Sequence, residues 1–274
     1  MKKFNFVKHP VFPAIVSIFV IQFLIIMIGI GKLVKRASSL ETPPASCRYD
    51  NLLLGAPGKS DCLIDRSGYA LGYSEEHEQA LFVIYKLTSA EISPAKSFRT
   101  DPAIPSGSAN SRDYKNSGYD RGHLAPAADM DFSRQTLDDC FYYSNISPQN
   151  PEFNRGIWKK LENHIRHLAR TEDQLYIVSG PIFDDTAPEY PIHIGPNRVT
   201  VPSAYYKVIY DLTPPEKMIG FILPNRKCSG ILRNFAVTVD TVEQKTGLNF
   251  FPLLPEEQKK LKKVLNPDDW QWDF

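Results

Sequence analysis

A run of twenty uncharged residues near the N-terminus constrains this chain more than any other feature of its sequence. Residues 11–30 read VFPAIVSIFVIQFLIIMIGI, and only Pro13, Ser17 and Gln22 interrupt the apolar side chains. A helix rises about 1.5 Å per residue, so such a run spans about 30 Å, the thickness of a bilayer core. Basic residues bracket the run on both sides. The pattern therefore predicts a transmembrane helix in a lipid bilayer rather than a buried helix of a soluble domain.

A cleaved signal peptide is the closest alternative for this segment. The apolar core of a signal peptide normally has about 7–15 residues and ends at a cleavage site of small residues. Here the apolar run is longer, and basic residues follow it directly. We therefore expect residues 1–36 to form an uncleaved signal anchor. Both flanks are basic, so charge leaves the orientation of the anchor open.

The rest of the chain divides into a linker and one domain. Residues 37–46 read ASSLETPPAS, a composition that predicts a short flexible linker. Residues 47–274 are enough for one large domain with its own core. A single N-terminal anchor usually leaves the large domain outside the cytosol, on a periplasmic, extracellular or organellar intermembrane side. The sequence leaves the oligomeric state open, and a homodimer is one alternative.

The charge distribution excludes one class of nucleic-acid-binding protein. The formal net charge is +1, but six of the 32 basic residues lie in residues 1–36, which contain no acid. The remaining chain holds all 31 acidic residues and is therefore net acidic. A generic polycation that coats nucleic acid would not have this composition. Any positive potential for a nucleic-acid substrate must be local.

The four cysteines, Cys47, Cys62, Cys140 and Cys228, form no CxxC pair, so the sequence does not predict a zinc site. An even number outside the cytosol is compatible with two disulfides. Proximity in the sequence favours the pairs Cys47–Cys62 and Cys140–Cys228. Four buried thiols are the alternative.

The pattern of apolar residues predicts a mixture of strands and helices. Strand-like segments lie at residues 81–87, 141–146, 174–179, 204–210 and 218–223. Gly180-Pro181 is expected to end the third of these, and residues 93–118 read as a long loop. Residues 133–139 predict a short helix, and residues 154–170 an amphipathic one. Strands and helices do not alternate regularly, so the fold class is α+β.

The densest cluster of reactive side chains lies in residues 119–126, which read YDRGHLAP. His123 supplies an imidazole, which is neutral near physiological pH and can accept a proton. Asp120 and Arg121 place charges beside it, and Gly122 allows another segment to approach the backbone closely. A lone histidine is usually structural, but these neighbours favour a functional one.

Further polar candidates follow in the next two segments of the chain. Asn145 lies in a strand-like segment, and Asn154 begins the amphipathic helix. Glu162 and Arg166 are four residues apart on that helix, so they are neighbours on one face. The alternative for Glu162 and Arg166 is a solvent-exposed ion pair with no role in catalysis.

The segment YDRGHLAPAADM resembles the DRGH signature of the DNA/RNA non-specific endonucleases, a family of ββα-metal nucleases that includes mitochondrial endonuclease G. DDCFYYSNISPQNPEFNRGIWKKLE resembles the second block of this family, and LYIVSGPIF, VTVPSAYYKVI and VDTVEQKTGLNFF resemble its later segments. The likeness covers roughly residues 65–251 in order. It implies the ββα-metal, or His-Me finger, nuclease fold with a mixed or antiparallel sheet.

The resemblance also implies a general base and a metal ligand. His123 corresponds to the base and Asn154 to the direct ligand of the cation. One neutral ligand with several waters suits Mg²⁺, which gives up its hydration shell reluctantly, and Mn²⁺ can substitute. The resemblance implies an endonuclease that hydrolyses DNA and RNA to 5′-phosphate and 3′-hydroxyl ends with little sequence specificity.

Supporting roles at the site follow from the same resemblance. Arg121 and Arg166 correspond to arginines that bind phosphate, whose geometry matches the guanidinium group. Asn145 corresponds to a polar residue that supports the histidine or the substrate, and Glu162 to an acid that holds metal-bound water. Asp120 is assigned a supporting role.

Two other functions are compatible with the sequence. One is a membrane-anchored protein that binds or takes up nucleic acid without cleaving it. The other is a metal-dependent phosphodiesterase for small molecules.

Overall fold

Seven antiparallel strands form the main sheet of the computed structural model, which describes residues 49–87, 97–172, 174–184 and 190–272. Along the chain the strands are β1 (Cys62–Asp65), β2 (Ala70–Ser74), β3 (Gln79–Leu87), β4 (Asp120–His123), β5 (Ile146–Gln149), β6 (Leu175–Ile182), β7 (His193–Ile194), β8 (Val199–Thr200), β9 (Ala204–Asp211), β10 (Lys217–Pro224) and β11 (Ala236–Val237). The order in the main sheet is β1-β2-β3-β6-β9-β10-β11. The predicted α+β class is confirmed, and the sheet is antiparallel.

The central strands are buried on both faces of the main sheet. Every residue of β6 is buried, and so is all but the first residue of β9. On one face Ile177 packs in a core layer with Leu161, and on the other Val178 packs with Phe250. Because both faces are covered, these strands read as nearly continuous apolar runs. The strands predicted at residues 81–87, 204–210 and 218–223 are confirmed for that reason.

Six α-helical segments lie in the described part of the chain: α1 (Ser111–Tyr114), α2 (Arg134–Asp139), α3 (Pro151–Phe153), α4 (Lys159–Thr171), α5 (Val239–Thr246) and α6 (Glu256–Lys259). The predicted helix α2 is confirmed together with its cap. The Ser133 hydroxyl accepts a hydrogen bond from the backbone N–H of Thr136 at 3.1 Å, which satisfies a donor that a helix start otherwise leaves free.

The amphipathic helix predicted over residues 154–170 is confirmed with one change. Its first turn is a π-turn, Asn154–Trp158, in which Gly156 departs from helical dihedral angles, and α4 begins after it. The predicted apolar stripe is buried through Leu161, Ile165 and Leu168. Such π-turns are rare and often occur at functional sites. Here the turn carries Asn154.

Strands β4 and β5 form a small sheet of their own beside the main one. They are antiparallel, with Asp120 opposite Gln149 and His123 opposite Ile146. The main sheet holds β5 through Tyr205, whose hydroxyl lies 2.6 Å from Ser147 Oγ and donates to the carbonyl of Pro148 at 2.9 Å. With α3, the π-turn and α4 following directly, the chain forms two strands and a helix in sequence.

Two predicted strand boundaries are wrong. Residues 141–146 do not form a strand, because Tyr143–Asn145 is a 3₁₀ turn and β5 begins only at Ile146. Strand β6 does not end at Gly180-Pro181 but continues to Ile182, paired with β9. Proline has no backbone N–H to donate, but β6 accommodates Pro181 opposite Tyr205 of β9. The long loop predicted over residues 93–118 contains α1 in its described part.

The cysteine prediction is wrong where the structure describes it. Cys62, Cys140 and Cys228 are free thiols, so Cys140 and Cys228 do not form the predicted disulfide. The Cys140 side chain lies in the core, where its Sγ donates to the carbonyl of Leu137. Cys47 lies outside the described residues.

The predicted membrane span, residues 11–30, also lies outside the described residues, as does the linker at 37–46. Among the residues that are described, no helix has the length and apolar character needed to cross a bilayer. The described residues belong to one unit, Cys47–Phe274.

Replacing Gly122 with alanine tests the packing of the small sheet. An added Cβ would lie 2.1 Å from Cδ of Gln149, whose side chain is completely buried. Because Gln149 cannot swing into solvent, we expect Gly122→Ala to lower the free energy of unfolding by about 1–3 kcal/mol. Urea denaturation measures this change. Wild-type stability of Gly122→Ala would contradict the packing described here.

Candidate active site

His123 ends β4 and lies between two aromatic rings. Its ring centroid is 5.1 Å from that of Phe141, edge to face, and 5.4 Å from that of Phe98. The Nε2 atom is shielded from solvent and has no hydrogen-bond partner among the described residues. Burial, with a smaller contribution from the positive charge of Arg121, lowers the pKa of His123 to about 4. The imidazole is therefore neutral at physiological pH and able to accept a proton.

Asn145 fixes the chain that follows His123. Its amide accepts from the backbone N–H of Ala125 and donates to the carbonyls of Ala125 and Cys140, each at 2.9 Å. The backbone N–H of Leu124 donates to the carbonyl of Asn145 at 3.0 Å. Asn145 is completely buried. The structure thus places Asn145 in support of the histidine segment rather than on a surface that a substrate reaches.

The Asp120 carboxylate ties β4 to the π-turn. It accepts from Nδ2 of Asn154 at 3.0 Å, and from Nε and a terminal nitrogen of Arg155 at 2.8 and 2.5 Å. Burial alone would raise the pKa of Asp120, but these hydrogen bonds outweigh it and hold the pKa below its ordinary value. With Nδ2 committed to Asp120, the amide oxygen of Asn154 accepts no side-chain hydrogen bond from the described residues. That oxygen could therefore coordinate a cation.

Glu162 and Arg166 do not form the solvent-exposed ion pair considered as an alternative. Arg166 instead donates to Asp129 at 2.7 Å, and Asp129 also accepts from the Tyr85 hydroxyl at 2.7 Å. Burial raises the pKa of Glu162 to about 7, and the positive charge of Lys207 opposes that rise. Glu162 is therefore a carboxyl group that titrates near neutral pH.

Two adjoining cavities collect most of the predicted residues. The first, of about 300 Å³, is lined by His123, Asn154, Glu162 and Arg166 among others; we call it the catalytic cavity. The second, of about 740 Å³, is lined by residues that include Asp120, Arg121, Asn154 and Arg155; we call it the basic groove. Asn154 and Arg155 line both, so the two cavities meet at the π-turn. Of the seven predicted site residues, Asn145 alone lines neither.

Four further residues shape the site and were missed by the sequence analysis: Phe98, Asp129, Arg155 and Lys207. The Phe98 ring lies against His123 on one side and 4.3 Å from the Arg121 guanidinium. It could not be found, because it lies in a stretch read as loop. Asp129 and Arg155 lie inside the two segments that carry the resemblance. Their charges, next to the predicted site residues, could have indicated a role.

Lys207 lies on the apolar strand β9 and is completely buried. Its ammonium nitrogen is 4.8 Å from the centre of the Trp158 ring and has no hydrogen-bond partner among the described residues. Burial lowers the pKa of Lys207, while the negative charges of Glu162 and Asp129 oppose that change. The signal in the sequence was one lysine inside the apolar run AYYKVIY.

Known proteins match this chain over most of its length. The family described as DNA/RNA non-specific endonuclease matches residues 50–257, most of the chain. The chain belongs to this family. It is 37% identical over 240 residues to "Nuclease" of Syncephalastrum racemosum, covering 78% of this chain and 74% of that protein. It is 31% identical over 227 residues to mitochondrial endonuclease G of Bos taurus, covering 77% and 75%.

A solved structure has the same fold as this chain. This chain superposes on a chain of the crystal structure of the EndoG/EndoGI complex with a TM-score of 0.70 and 31% sequence identity. The match covers 79% of this chain and 96% of that chain. The resemblance found in the sequence is confirmed, and the protein is a hydrolase that acts on nucleic acids.

The half-buried carboxyl of Glu162 should make stability depend on pH. Its pKa in the folded state, about 7, lies above the ordinary value of 4.5. The stability it contributes is therefore present below pH 4.5 and is lost as the pH rises through 7. We expect Glu162→Gln, which cannot ionise, to raise Tm by about 2–4 °C relative to wild type at pH 8. At pH 4.5 the two Tm values should nearly coincide.

Thermal denaturation in EDTA at both pH values measures this difference. Glu257→Gln is a matched control, because the Glu257 side chain is 80% exposed on α6. An equal change in Tm at both pH values for Glu162→Gln would contradict a carboxyl with a pKa of about 7 in the folded state.

Proposed function

We propose that this protein is a divalent-metal-dependent endonuclease that cleaves DNA and RNA with little sequence specificity and uses His123 as its general base. The cation is Mg²⁺, and Mn²⁺ can replace it. The products carry 5′-phosphate and 3′-hydroxyl ends. One observation supports this proposal most strongly: a neutral imidazole and a free amide oxygen, on separate segments of the chain, line one cavity.

His123 has the protonation state that a base requires. A neutral imidazole accepts a proton from water, the water oxygen bonds to phosphorus, and the bond from phosphorus to the 3′ oxygen breaks. The departing oxygen takes a proton from solvent. The rings of Phe98 and Phe141 hold the imidazole in place, and Asn145 holds the backbone beyond it.

The residues around Asn154 fit a hydrated divalent cation. Asn154 would hold the cation through its amide oxygen, since Asp120 fixes the amide nitrogen. One neutral ligand leaves most of the coordination shell to water, as Mg²⁺ prefers. Glu162, which faces the same cavity, would accept hydrogen bonds from that water. When bound, the cation supplies positive charge to the phosphoryl and departing oxygens.

Arginines provide the remaining positive charge. The Arg121 side chain is exposed, and it stacks on Phe98 without an ion-pair partner among the described residues. Its donors are therefore available to a phosphate. Arg166 reaches the catalytic cavity while Asp129 fixes its orientation. These groups recognise phosphate and not base edges, which favours low sequence specificity.

A membrane anchor at residues 11–30 with the domain outside the cytosol remains a proposal. Relatives such as endonuclease G of Bos taurus carry "mitochondrial" in their names, which favours an organellar intermembrane location among the alternatives. Release of the full-length chain from membranes by alkaline carbonate would contradict the anchor.

Removing the imidazole is the most direct activity test. We expect His123→Ala to lower the rate of plasmid and RNA cleavage by about 10²–10⁴-fold, because general-base catalysis contributes on that order. His193→Ala is the control, since His193 lines neither the catalytic cavity nor the basic groove. EDTA should abolish wild-type cleavage, and Mg²⁺ or Mn²⁺ should restore it.

The same assay separates the two alternatives. Cleavage of DNA by His123→Ala at the wild-type rate would refute the assignment of the base. Retention of circular single-stranded DNA by the wild type without cleavage would favour a binding or uptake protein. Hydrolysis of a small nucleotide diester that long DNA does not inhibit would favour a small-molecule phosphodiesterase.

A further inference from the structure

The interior beneath α4 contains a buried cation that the proposed mechanism does not use. Lys207 lies in the middle of β9, and the residues two positions away on either side, Tyr205 and Ile209, pack in the core layer that contains Leu161 of α4. Side chains of a strand alternate between its two faces, so Lys207 lies on the face that α4 covers. The distance of 4.8 Å from its ammonium nitrogen to the centre of the Trp158 ring agrees with this placement. A lysine is almost never completely buried unless it is paired.

Three buried polar atoms in this layer have no hydrogen-bond partner among the described residues: Nζ of Lys207, Oγ of Ser179 and Nε1 of Trp158. Ser179 lies opposite Lys207 where β6 pairs with β9. It faces α4 as well, since Ile177, two positions before it, packs in the same core layer. Buried polar groups of this kind are usually satisfied by internal water, which makes about three hydrogen bonds. One water can therefore bind both Lys207 and Ser179.

Two carboxyl groups, Glu162 and Asp129, act electrostatically on Lys207. Asp129 already accepts hydrogen bonds from Arg166 and from the Tyr85 hydroxyl, each at 2.7 Å. The Glu162 carboxylate accepts no side-chain hydrogen bond from the part of the chain that the structure describes. Glu162 is therefore the carboxylate that remains available to Lys207.

Glu162 connects this interior to the catalytic cavity, which its side chain lines. Burial raises the pKa of Glu162 to about 7, and Lys207 is the positive charge that most opposes the rise. Without Lys207, the remaining positive charges would come from α4 itself, and one of them, Arg166, is paired with Asp129. The other titratable groups that act on Glu162 are Asp129 from the turn before α2, Arg166 and Lys159 from α4, and Tyr85 from β3.

We propose that Lys207 is a positioning residue: its ammonium binds an internal water shared with Ser179 and Glu162, and so keeps the Glu162 carboxylate anionic and oriented toward the catalytic cavity. This inference rests on the proposed function, in which Glu162 accepts hydrogen bonds from water on the cation. An ionised carboxylate only accepts hydrogen bonds, whereas a protonated one also donates and accepts more weakly. Lys207 itself touches neither the substrate nor the cation, so it acts through Glu162.

Lys207→Met, which keeps an unbranched side chain and removes the charge, tests the positioning role through the pH profile. We expect the low-pH limb of kcat/KM on DNA in Mg²⁺ to move up by about 1 pH unit, because a nearby opposite charge lowers a carboxyl pKa by about 1–3 pH units. A lysine needed only for packing would instead lower kcat/KM by the same factor at every pH. The matched control is Lys59→Met, which removes an equal charge at an exposed residue outside both cavities and should keep the wild-type profile.

Thermal denaturation in EDTA measures the same coupling without activity or metal. The folded-state pKa of Glu162 lies above its ordinary value, so its ionisation lowers stability as the pH rises through 7. Without Lys207 that pKa should be higher still, and ionisation should cost more. At pH 8, the gain in Tm from Glu162→Gln should therefore be larger in the Lys207→Met background than in the wild type, by about 1–2 °C. At pH 4.5 the two gains should nearly coincide.

Three results would overturn the positioning role. One is a wild-type pH profile for Lys207→Met. Another is an equal effect of Lys207→Met on kcat/KM with and without Glu162→Gln, since Lys207 would then not act through Glu162. The third needs no variant, and so decides the matter even if Lys207→Met does not fold: a crystal structure of the wild type in which Nζ of Lys207 contacts neither the Glu162 carboxylate nor a water bound to it. If the wild type cleaves neither DNA nor RNA while the Tm differences appear, the proposed function fails and the coupling of Lys207 to Glu162 stands.

Discussion

The hydrogen bonds of Asp120 set the geometry on which the rest of the site depends. Asp120 begins β4 and His123 ends it, so this short strand fixes where the imidazole lies relative to the carboxylate. The carboxylate in turn holds Asn154 and Arg155 on the π-turn. One side chain therefore links the proposed base to the proposed metal ligand. Because Asn154 donates through its nitrogen, its oxygen is turned away from Asp120 and is available to the proposed cation.

Positive charge is concentrated at the candidate site, although the chain beyond residue 36 is net acidic. Arg121, Arg155 and Arg166 border the two cavities, and a divalent cation would add to them. Behind them, burial raises the pKa of Glu162 and lowers that of Lys207, which favours the neutral form of each side chain. A carboxyl that titrates near pH 7 beside a buried cation costs stability. Such a cost is typical of active sites, where function and not stability fixes the residue.

The sequence predicted which residues share a cavity better than it predicted the local backbone. His123, Asn154, Glu162 and Arg166 come together as expected, because the resemblance located them residue by residue. The strand expected at residues 141–146 is wrong, since the side chain of Asn145 bonds to distant backbone groups that no local pattern reveals. The π-turn at Asn154 was likewise hidden, because its apolar spacing is that of an ordinary helix. Phe98 was missed because it lies in a stretch read as loop, and its partners Arg121, His123, Phe141 and Tyr143 come from two distant segments.

In the proposed mechanism, a cation at Asn154 and the imidazole of His123 lie on either side of the scissile phosphate. Crystals grown with Mn²⁺ and a phosphorothioate oligonucleotide test it directly, through the anomalous scattering of manganese and phosphorothioate sulfur. We expect a manganese peak about 2.0–2.3 Å from Oδ1 of Asn154, with the phosphorus between that peak and the ring of His123. A manganese site away from Asn154, or a phosphate out of reach of His123, would contradict it.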